Sequence, residues 1–281
     1  MLFKQWNEFI EPRHQLDFPI LSKNDESLQA SPIPKVLFPS IAFQNYEKII
    51  ITTQLMNPLF PEKLIESKNL GKIETQLTLT EDQNAVNEDG HSWNFNENFP
   101  NEFDPDNEDR ENQQQAFNFE FPVFAVGKVV IISIQDNFLK ISPIFSNIIS
   151  KKLIEQLPRT IKPLILGSSD RIASVKEIND HTCTLVPPEF ITGFIASLLT
   201  ELTIHNETLQ NGENKFQFDA ILVPSEGPLG FEKLNLTVIQ DLIDLFKEEW
   251  PNLDPKVYAE ESYRNWKLAG SVLGAQSGLY I

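Results

Sequence analysis

The sequence contains few of the residues on which disulfide scaffolds, metal sites and nucleic-acid-binding surfaces depend. Cys183 is the only cysteine in 281 residues, so no intrachain disulfide can form, and an intracellular protein is expected. The four histidines show no metal-ligand spacing. Basic residues number 23 against 40 acidic ones, and the resulting net charge of −17 argues against binding to nucleic acid or to anionic membranes.

Long apolar runs are also missing. No stretch approaches the roughly 20 apolar residues that a membrane helix needs. The first twelve residues are too short and too charged for a signal peptide. We therefore expect a soluble cytoplasmic protein, with the nucleus also permitted, and no cofactor, because no cofactor-binding motif is recognisable.

The patterns that are present predict an α/β protein. Strands are expected at 46–55, 73–80, 117–125, 128–134, 164–166, 172–178 and 216–223. Helices are expected after Ser142-Pro143, from Pro187-Pro188-Glu189 with Gly193 inside, from a Thr237–Gln240 capping box to Trp250, and from Asp254-Pro255 to Gly270. This order predicts a single α/β domain over residues 1–273, with a mixed β-sheet flanked by helices.

Two segments of this domain differ from the rest. Residues 1–45 carry five prolines and no helical period, and they are expected to form an extended surface arm. Residues 81–115 hold eleven acidic residues and one basic residue. Because such a segment cannot bury enough apolar surface to offset the entropy of ordering, we expect a long, largely disordered acidic loop.

Three places could carry chemistry, and each has a simpler interpretation. Cys183 lies near His181 but forms no triad, so a buried structural cysteine is favoured over a nucleophile. Gly167 to Asp170 follows a strand but lacks a phosphate-loop motif. The loop of Ser225, Glu226, Gly227 and Pro228 lies where α/β enzymes place active-site residues, but it lacks a nucleophile motif, so a partner-contacting loop is favoured.

The last eight residues form the most unusual stretch. Gly274, Ala275, Gln276, Ser277 and Gly278 make a leader of mostly small residues, and Leu279, Tyr280 and Ile281 follow it. A pocket could capture the terminal carboxylate while the ring fills an apolar slot. This hydrophobic-Tyr-any (HbYX) ending favours a flexible docking tail at 274–281. The alternative, in which Tyr280 folds back onto the core, remains open at this point.

Longer segments resemble one protein family over essentially the whole chain. They are His91–Asn94, Glu97–Glu102, Asp104–Asp106, Asn137–Leu139, Ile141–Phe145, Pro187–Ile195, Val223–Pro228, Gly230–Leu234 and Gly274–Ile281. Together they resemble the proteasome assembly chaperones.

The resemblance implies a non-enzymatic chaperone of an α/β fold distantly akin to nucleoside phosphorylases. It would form a heterodimer with proteasome assembly chaperone 2 on the outer face of the 20S proteasome α ring. There it would promote correct ring assembly and block premature docking of regulators. Leu279, Tyr280 and Ile281 would enter a pocket between the fifth and sixth α subunits.

Two other functions stay open. The strand-end loops at Gly167 and Pro224 would suit a nucleoside- or small-metabolite-binding hydrolase. A generic scaffold could instead use the acidic loop as its binding element.

Overall fold

The strands and helices follow the apolar periodicity of the sequence closely. A computed structural model describes residues 33–79, 115–135, 144–208, 215–227, 231–250 and 252–273. Its strands are β1 Lys35–Leu37, β2 Lys48–Thr53, β3 Ser67–Leu79, β4 Gln115–Val126, β5 Val129–Ile134, β6 Pro163–Ser169, β7 Lys176–Asn179 and β8 Asp219–Pro224. Its α-helices are α1 Ile144–Gln156, α2 Gly193–Thr208, α3 Leu236–Phe246 and α4 Pro255–Leu268. Short 3-10 turns occupy Phe43–Asn45, Gln54–Leu59 and Lys247–Glu249.

The sheet is mixed, with the order β1-β3-β4-β5-β2-β6-β8-β7. β2 pairs in parallel with both β5 and β6, and β6 pairs in parallel with β8. β4 and β7 run antiparallel to their neighbours β5 and β8. The prediction of an α/β fold with a mixed sheet and flanking helices is confirmed.

The central strands are apolar on both faces because helices cover both. Ile49, Ile50 and Ile51 of β2 are fully buried. The face that carries Ile50 and Leu166 belongs to the same core cluster as the apolar side chains of α3 and α4. The opposite face contacts α2, since a Cβ added at Gly167 would lie 3.0 Å from two side-chain carbons of Ile195. A β-branched run suits a strand buried in this way.

The described residues divide into two compact units. The first takes 33–35, 75–79, 115–119 and 144–145. Within it, the Thr75 hydroxyl donates to the Phe119 carbonyl at 3.5 Å, and the Phe119 and Phe145 rings meet edge to face at 5.7 Å. The remaining described residues form the second unit, which contains the core cluster and the site described below. The boundaries of a single domain at residues 1–273 stay a prediction.

The predicted starts of two helices are wrong. α2 begins at Gly193 and not at Pro187, because Gly193 has φ of +77°, a left-handed conformation that does not occur inside an α-helix. The N-cap of α3 is Asn235, whose side-chain oxygen accepts from the Val238 N–H at 2.8 Å. Thr237 therefore lies inside the first turn, and the predicted capping box does not form.

One further predicted helix start is confirmed, and several other predictions lie outside the described residues. The Asp254-Pro255 start of α4 is confirmed, because the Asp254 carboxylate accepts from the Lys256 N–H at 2.8 Å. The predicted acidic loop lies outside the described residues, except for Gln115 at the start of β4, and so do Ser142 and most of the N-terminal arm. Of that arm, the described part includes the edge strand β1. Among the described residues, no helix is both long and apolar enough to cross a membrane.

Gly167 provides a test of how α2 packs on the sheet. An alanine Cβ there would lie 3.0 Å from Ile195 and 3.1 Å from Leu222, closer than ordinary van der Waals contact. We predict that Gly167→Ala lowers the free energy of unfolding by about 1–3 kcal/mol, measured by denaturant titration. In an Ile195→Ala background the same change should cost less. Equal costs in the two backgrounds would contradict this packing.

Candidate functional site: the base of the C-terminal segment

The segment that leads to the predicted docking tail is held by backbone hydrogen bonds. Leu234 and Val272 form a parallel bridge. The Leu234 N–H donates to the Ser271 carbonyl at 2.9 Å, and the Leu273 N–H donates to the Leu234 carbonyl at 2.9 Å. Leu273 is the last described residue, so the predicted tail at 274–281 lies outside the described part and begins directly after this pairing.

The predicted partner-contacting loop joins the same ladder. Glu226 and Lys233 form an antiparallel bridge, with N–H to carbonyl distances of 2.9 Å and 2.8 Å. Gly227 allows the close return of the chain, because its φ is +115° and an added Cβ would lie 2.9 Å from the Phe231 carbonyl oxygen. We call this three-segment ladder the tail base: Glu226, Lys233, Leu234, Ser271, Val272 and Leu273. The predicted partner-contacting loop and the segment that precedes the predicted tail therefore belong to one ladder.

The ladder has a buried face and an outer face. Leu234 and Val272 are 0% and 3% exposed and belong to the core cluster that α3 and α4 complete. Alternate residues of an extended segment point to opposite sides, and the neighbours Lys233, Ser271 and Leu273 are accordingly half-buried. The buried side chains of Leu234 and Val272 thus attach the tail base to the core, in addition to its backbone hydrogen bonds.

The loop at 225–228 is only partly a surface. The Ser225 N–H donates to the Ser169 carbonyl at 3.0 Å, and the Ser225 side chain is buried with no hydrogen-bond partner for its hydroxyl among the described residues. Glu226 is exposed and Gly227 is half-buried, while Pro228 lies outside the described part. Glu226 is therefore the side chain of this loop best placed to meet a partner, and the partner-contacting role stays a prediction.

Helix α4 fixes the position from which the tail base starts. Its Tyr258 hydroxyl donates to the Leu59 carbonyl at 3.0 Å, and its Trp266 indole N–H donates to the Leu55 carbonyl at 3.0 Å. Both rings are almost fully buried. Gly270, with φ of +69°, follows the end of the helix, as the sequence predicts. The chain beyond it then pairs with Leu234.

The strand-end residues that could have formed a catalytic site have structural partners. Gly167 is required by the packing of α2, as described above. The Ser169 hydroxyl donates to the Phe190 carbonyl at 2.9 Å and accepts from the Arg171 N–H at 3.1 Å. These contacts give Gly167 and Ser169 structural roles, so their presence at the strand end does not require a bound anion.

Cys183 is exposed, so the prediction of a buried structural cysteine is wrong. It pairs with Ile178 on a segment that returns along β7, which is the edge strand of the sheet. His181 beside it is paired with Asp180 at 3.2 Å. Within the described ranges, no group of three or more His, Cys, Asp or Glu side chains could hold a metal ion.

Sequence reasoning did not find the central members of the tail base. Lys233, Leu234 and Val272 lie in short stretches without a strand-length pattern, and their pairing is fixed by the positions of α3 and α4. Only the Leu-Asn-Leu alternation at 234–236 hints at an extended segment.

Comparison with known proteins identifies the family. The family model described as POC1 chaperone matches residues 1–281. Proteasome chaperone 1 of Saccharomyces cerevisiae is 45% identical over 284 residues, which cover all of this chain and all of that protein. The chain belongs to the POC1 chaperone family.

Solved structures of proteasome-assembly chaperone homologues are much less similar to this POC1 chaperone than the yeast protein is. PbaA of Pyrococcus furiosus, an archaeal homologue of proteasome-assembly chaperone, is 12% identical, with a TM-score of 0.46 and coverage of 85% of this chain and 90% of that one. A proteasome-assembly chaperone homologue of Mycobacterium tuberculosis is 9% identical, with a TM-score of 0.37 and coverage of 81% and 95%. The family assignment rests on the two sequence matches.

Tyr258, which anchors α4, makes the free energy of unfolding depend on pH in the alkaline range. Burial raises the pKa of its phenol from 10.0 to about 12. The unfolded chain therefore loses this proton first, and stability is unaffected below pH 10 but falls as the pH rises toward 12. The full loss from this one group is about 2–3 kcal/mol.

We predict that Tyr258→Phe, followed by chemical denaturation at pH 8 to 11, removes this part of the alkaline decline. It should also cost about 1–2 kcal/mol at pH 8, because the Leu59 carbonyl loses its donor. Tyr263→Phe, a half-buried tyrosine on the same helix, is the matched control and should keep the decline. Parallel curves for wild type and Tyr258→Phe would contradict the assignment.

Proposed function

We propose that this protein is a proteasome assembly chaperone that works without catalysing a reaction. It pairs with proteasome assembly chaperone 2 in the cytoplasm, and the heterodimer binds the outer face of the α ring of the 20S proteasome. Bound there, it promotes correct assembly of the ring and blocks premature docking of regulators. Its tail, Leu279-Tyr280-Ile281, enters a pocket between the fifth and sixth α subunits.

The observation that carries this proposal is the full-length match. Identity of 45% over all of this chain and all of that protein, together with a family model that matches residues 1–281, supports a function shared with that relative. The yeast relative is a proteasome chaperone, and the family is a chaperone family, so both point to a chaperone that acts on the proteasome.

The geometry of the tail base supports the tail's part in the proposal. A docking tail transmits binding to the body of the protein only if its root is firmly attached. Here the root is joined by backbone bonds on both sides of Leu234 and by the buried side chains of Leu234 and Val272. The leader of small residues then gives the last three residues freedom to reach a pocket.

The chemistry of the last three residues suits a pocket between subunits. An aromatic ring supplies a large apolar contact whose hydroxyl can remain hydrogen-bonded. A carboxylate on Ile281 would pair with a lysine of the pocket, an interaction that the resemblance implies. Three residues contribute only a few kcal/mol, so useful affinity requires further contact by the chaperone body or a second tail.

The proposal is tested by Tyr280→Ala with Tyr280→Phe as its matched control. We expect Tyr280→Ala to weaken binding to α-ring intermediates by roughly tenfold or more, since losing a buried tyrosine at an interface typically costs at least 1.4 kcal/mol. Tyr280→Phe should bind nearly as wild type, because the ring remains. Binding is measured by quantitative co-purification from cells.

Two readouts separate the possible failures. The melting temperature and the recovery of the second chaperone should be unchanged in both variants, because residue 280 lies beyond the tail base. Wild-type binding by Tyr280→Ala would contradict the role of the tail. Absence of α subunits from the wild-type purification would contradict the proposed function itself.

A further inference from the structure

The segment that returns along β7 leaves backbone hydrogen-bonding groups open at the edge of the sheet. Cys183 bridges to Ile178 of β7 in antiparallel register. The hydrogen bonds are made by its neighbours, since the Thr182 carbonyl accepts from β7 at 2.9 Å and the Thr184 N–H donates to β7 at 3.3 Å. In such a pair the N–H and C=O of the central residue point away from the partner strand. Those of Cys183 therefore face outward, and within the described ranges no residue bonds to either.

This open edge lacks the features that usually keep a foreign strand from joining a sheet. Thr182–Val186 reads Thr-Cys-Thr-Leu-Val, without a charged residue, a proline or a glycine. Charges, prolines and bulges are the means by which edge strands avoid pairing with other chains. Three of these five residues are β-branched, which favours an extended backbone. The chemistry of the edge therefore favours pairing with another extended backbone.

Side-chain hydrogen bonds hold the edge in position. The Asn179 side-chain oxygen accepts from the N–H groups of His181 and Thr182 at 2.9 Å and 2.7 Å. The Thr184 hydroxyl accepts from the Glu177 N–H at 3.0 Å and donates to the Glu177 carbonyl at 2.9 Å. Because the segment is already fixed, it loses little conformational freedom when a partner binds. Its outward groups are thus preorganised.

A groove separates this edge from helix α2. Its volume is about 750 Å³, which is typical of ligand sites. It is lined by Cys183 and Leu185 from the edge, and by Thr200, Thr203 and Ile204 from α2. Both threonine hydroxyls bond to carbonyls of their own helix at 2.8 Å, and Ile204 is 50% exposed. This wall therefore requires no polar partner, and alternate side chains of an added strand can pack against it.

The groove also contains a carboxylate that none of the described lysines or arginines neutralises. Glu189 and Glu207 line the groove, but each is paired with a lysine, at 2.8 Å and 3.9 Å. The Asp180 side chain is 14% exposed, and its ion-pair partner among the described residues is His181 at 3.2 Å. Since His181 carries a charge only when protonated, Asp180 is left to attract a lysine or arginine of the ligand. The net charge of −17 favours a basic ligand in the same way.

We propose that the edge at Thr182–Val186 binds an extended segment of another protein by β-strand addition. Backbone groups of that segment bond to the N–H and C=O of Cys183. An apolar side chain lies in the groove against Leu185 and Ile204, and a lysine or arginine faces Asp180. Main-chain bonds supply the affinity, and alternate side chains supply the specificity. This contact uses no residue of the tail, which carries the ring binding under the proposed function.

The single cysteine makes the test direct, because a strand bound along the edge shields the Cys183 thiol. The experiment measures the rate at which iodoacetamide alkylates Cys183 in the full-length protein, with and without the blocked pentapeptide acetyl-Thr-Val-Lys-Val-Thr-amide. We expect saturating peptide to slow alkylation roughly threefold or more, because the reaction requires access to the thiol. Alkylation of free N-acetylcysteine is the control, and the peptide should not change its rate.

Two matched peptides test the two parts of the contact. Replacing the central lysine with glutamate should raise the apparent Kd roughly threefold or more, because an attractive charge pair becomes a repulsive one. In Asp180→Asn, the lysine and glutamate peptides should protect the thiol equally. N-methylation of every amide of the lysine peptide should abolish protection, because the main-chain donors are lost.

The outcomes separate strand addition from simpler binding. No slowing of alkylation by the lysine peptide at millimolar concentration would overturn the inference. Protection by the N-methylated peptide equal to that by the lysine peptide would also overturn it, since the groove would then bind apolar groups without backbone pairing. Equal protection of the wild-type thiol by the lysine and glutamate peptides would overturn the role of Asp180.

Discussion

The pairing of Leu234 with Val272 is the constraint on which the attachment of the C-terminal segment depends. It joins the segment that leaves β8 to the segment that leaves α4, and it does so at the edge of the core. Two backbone hydrogen bonds define the register of this pairing, and the burial of both side chains shields it from water. Without it, the last eight residues would leave from a frayed helix end and not from a fixed point.

That pairing in turn depends on the sheet and on the helices that cover it. The parallel strands β2, β6 and β8 place Leu166 and Val223 on the face where α3 and α4 pack. Tyr258 and Trp266 bond to carbonyls of the 3-10 turn at Gln54–Leu59, which follows β2 directly. The chain's first central strand therefore sets the position of its last helix, and through that helix the position of the tail base.

Local chemistry made much of this predictable from the sequence. Alternation and β-branched runs locate the central strands, and Asp254-Pro255 and Gly270 locate the two ends of α4, because a cap or a left-handed glycine acts within a few residues. The start of α2 is not evident from the sequence because glycine adopts either sign of φ, and the positive φ of Gly193 leaves no pattern in the neighbouring residues. The burial predicted for Cys183 is wrong because it rests on the usual burial of free cysteines, and the sequence does not show that its partner strand β7 lies at the edge of the sheet. The Leu234–Val272 bridge could not be predicted for a related reason. It joins residues 38 positions apart, and the short segments on either side show no helical or strand periodicity. The predicted likeness to nucleoside phosphorylases and the tail residues themselves remain predictions.

The central proposal is that a non-enzymatic body presents a tail to the α ring of the proteasome. Its most direct measurement is affinity purification of the tagged full-length chain under mild cross-linking, with mass spectrometry of the cross-linked peptides. The account predicts α subunits of immature 20S particles and a second chaperone, with cross-links to the ring from Lys233 at the tail base. Recovery of the chain with neither α subunits nor a second chaperone would contradict it.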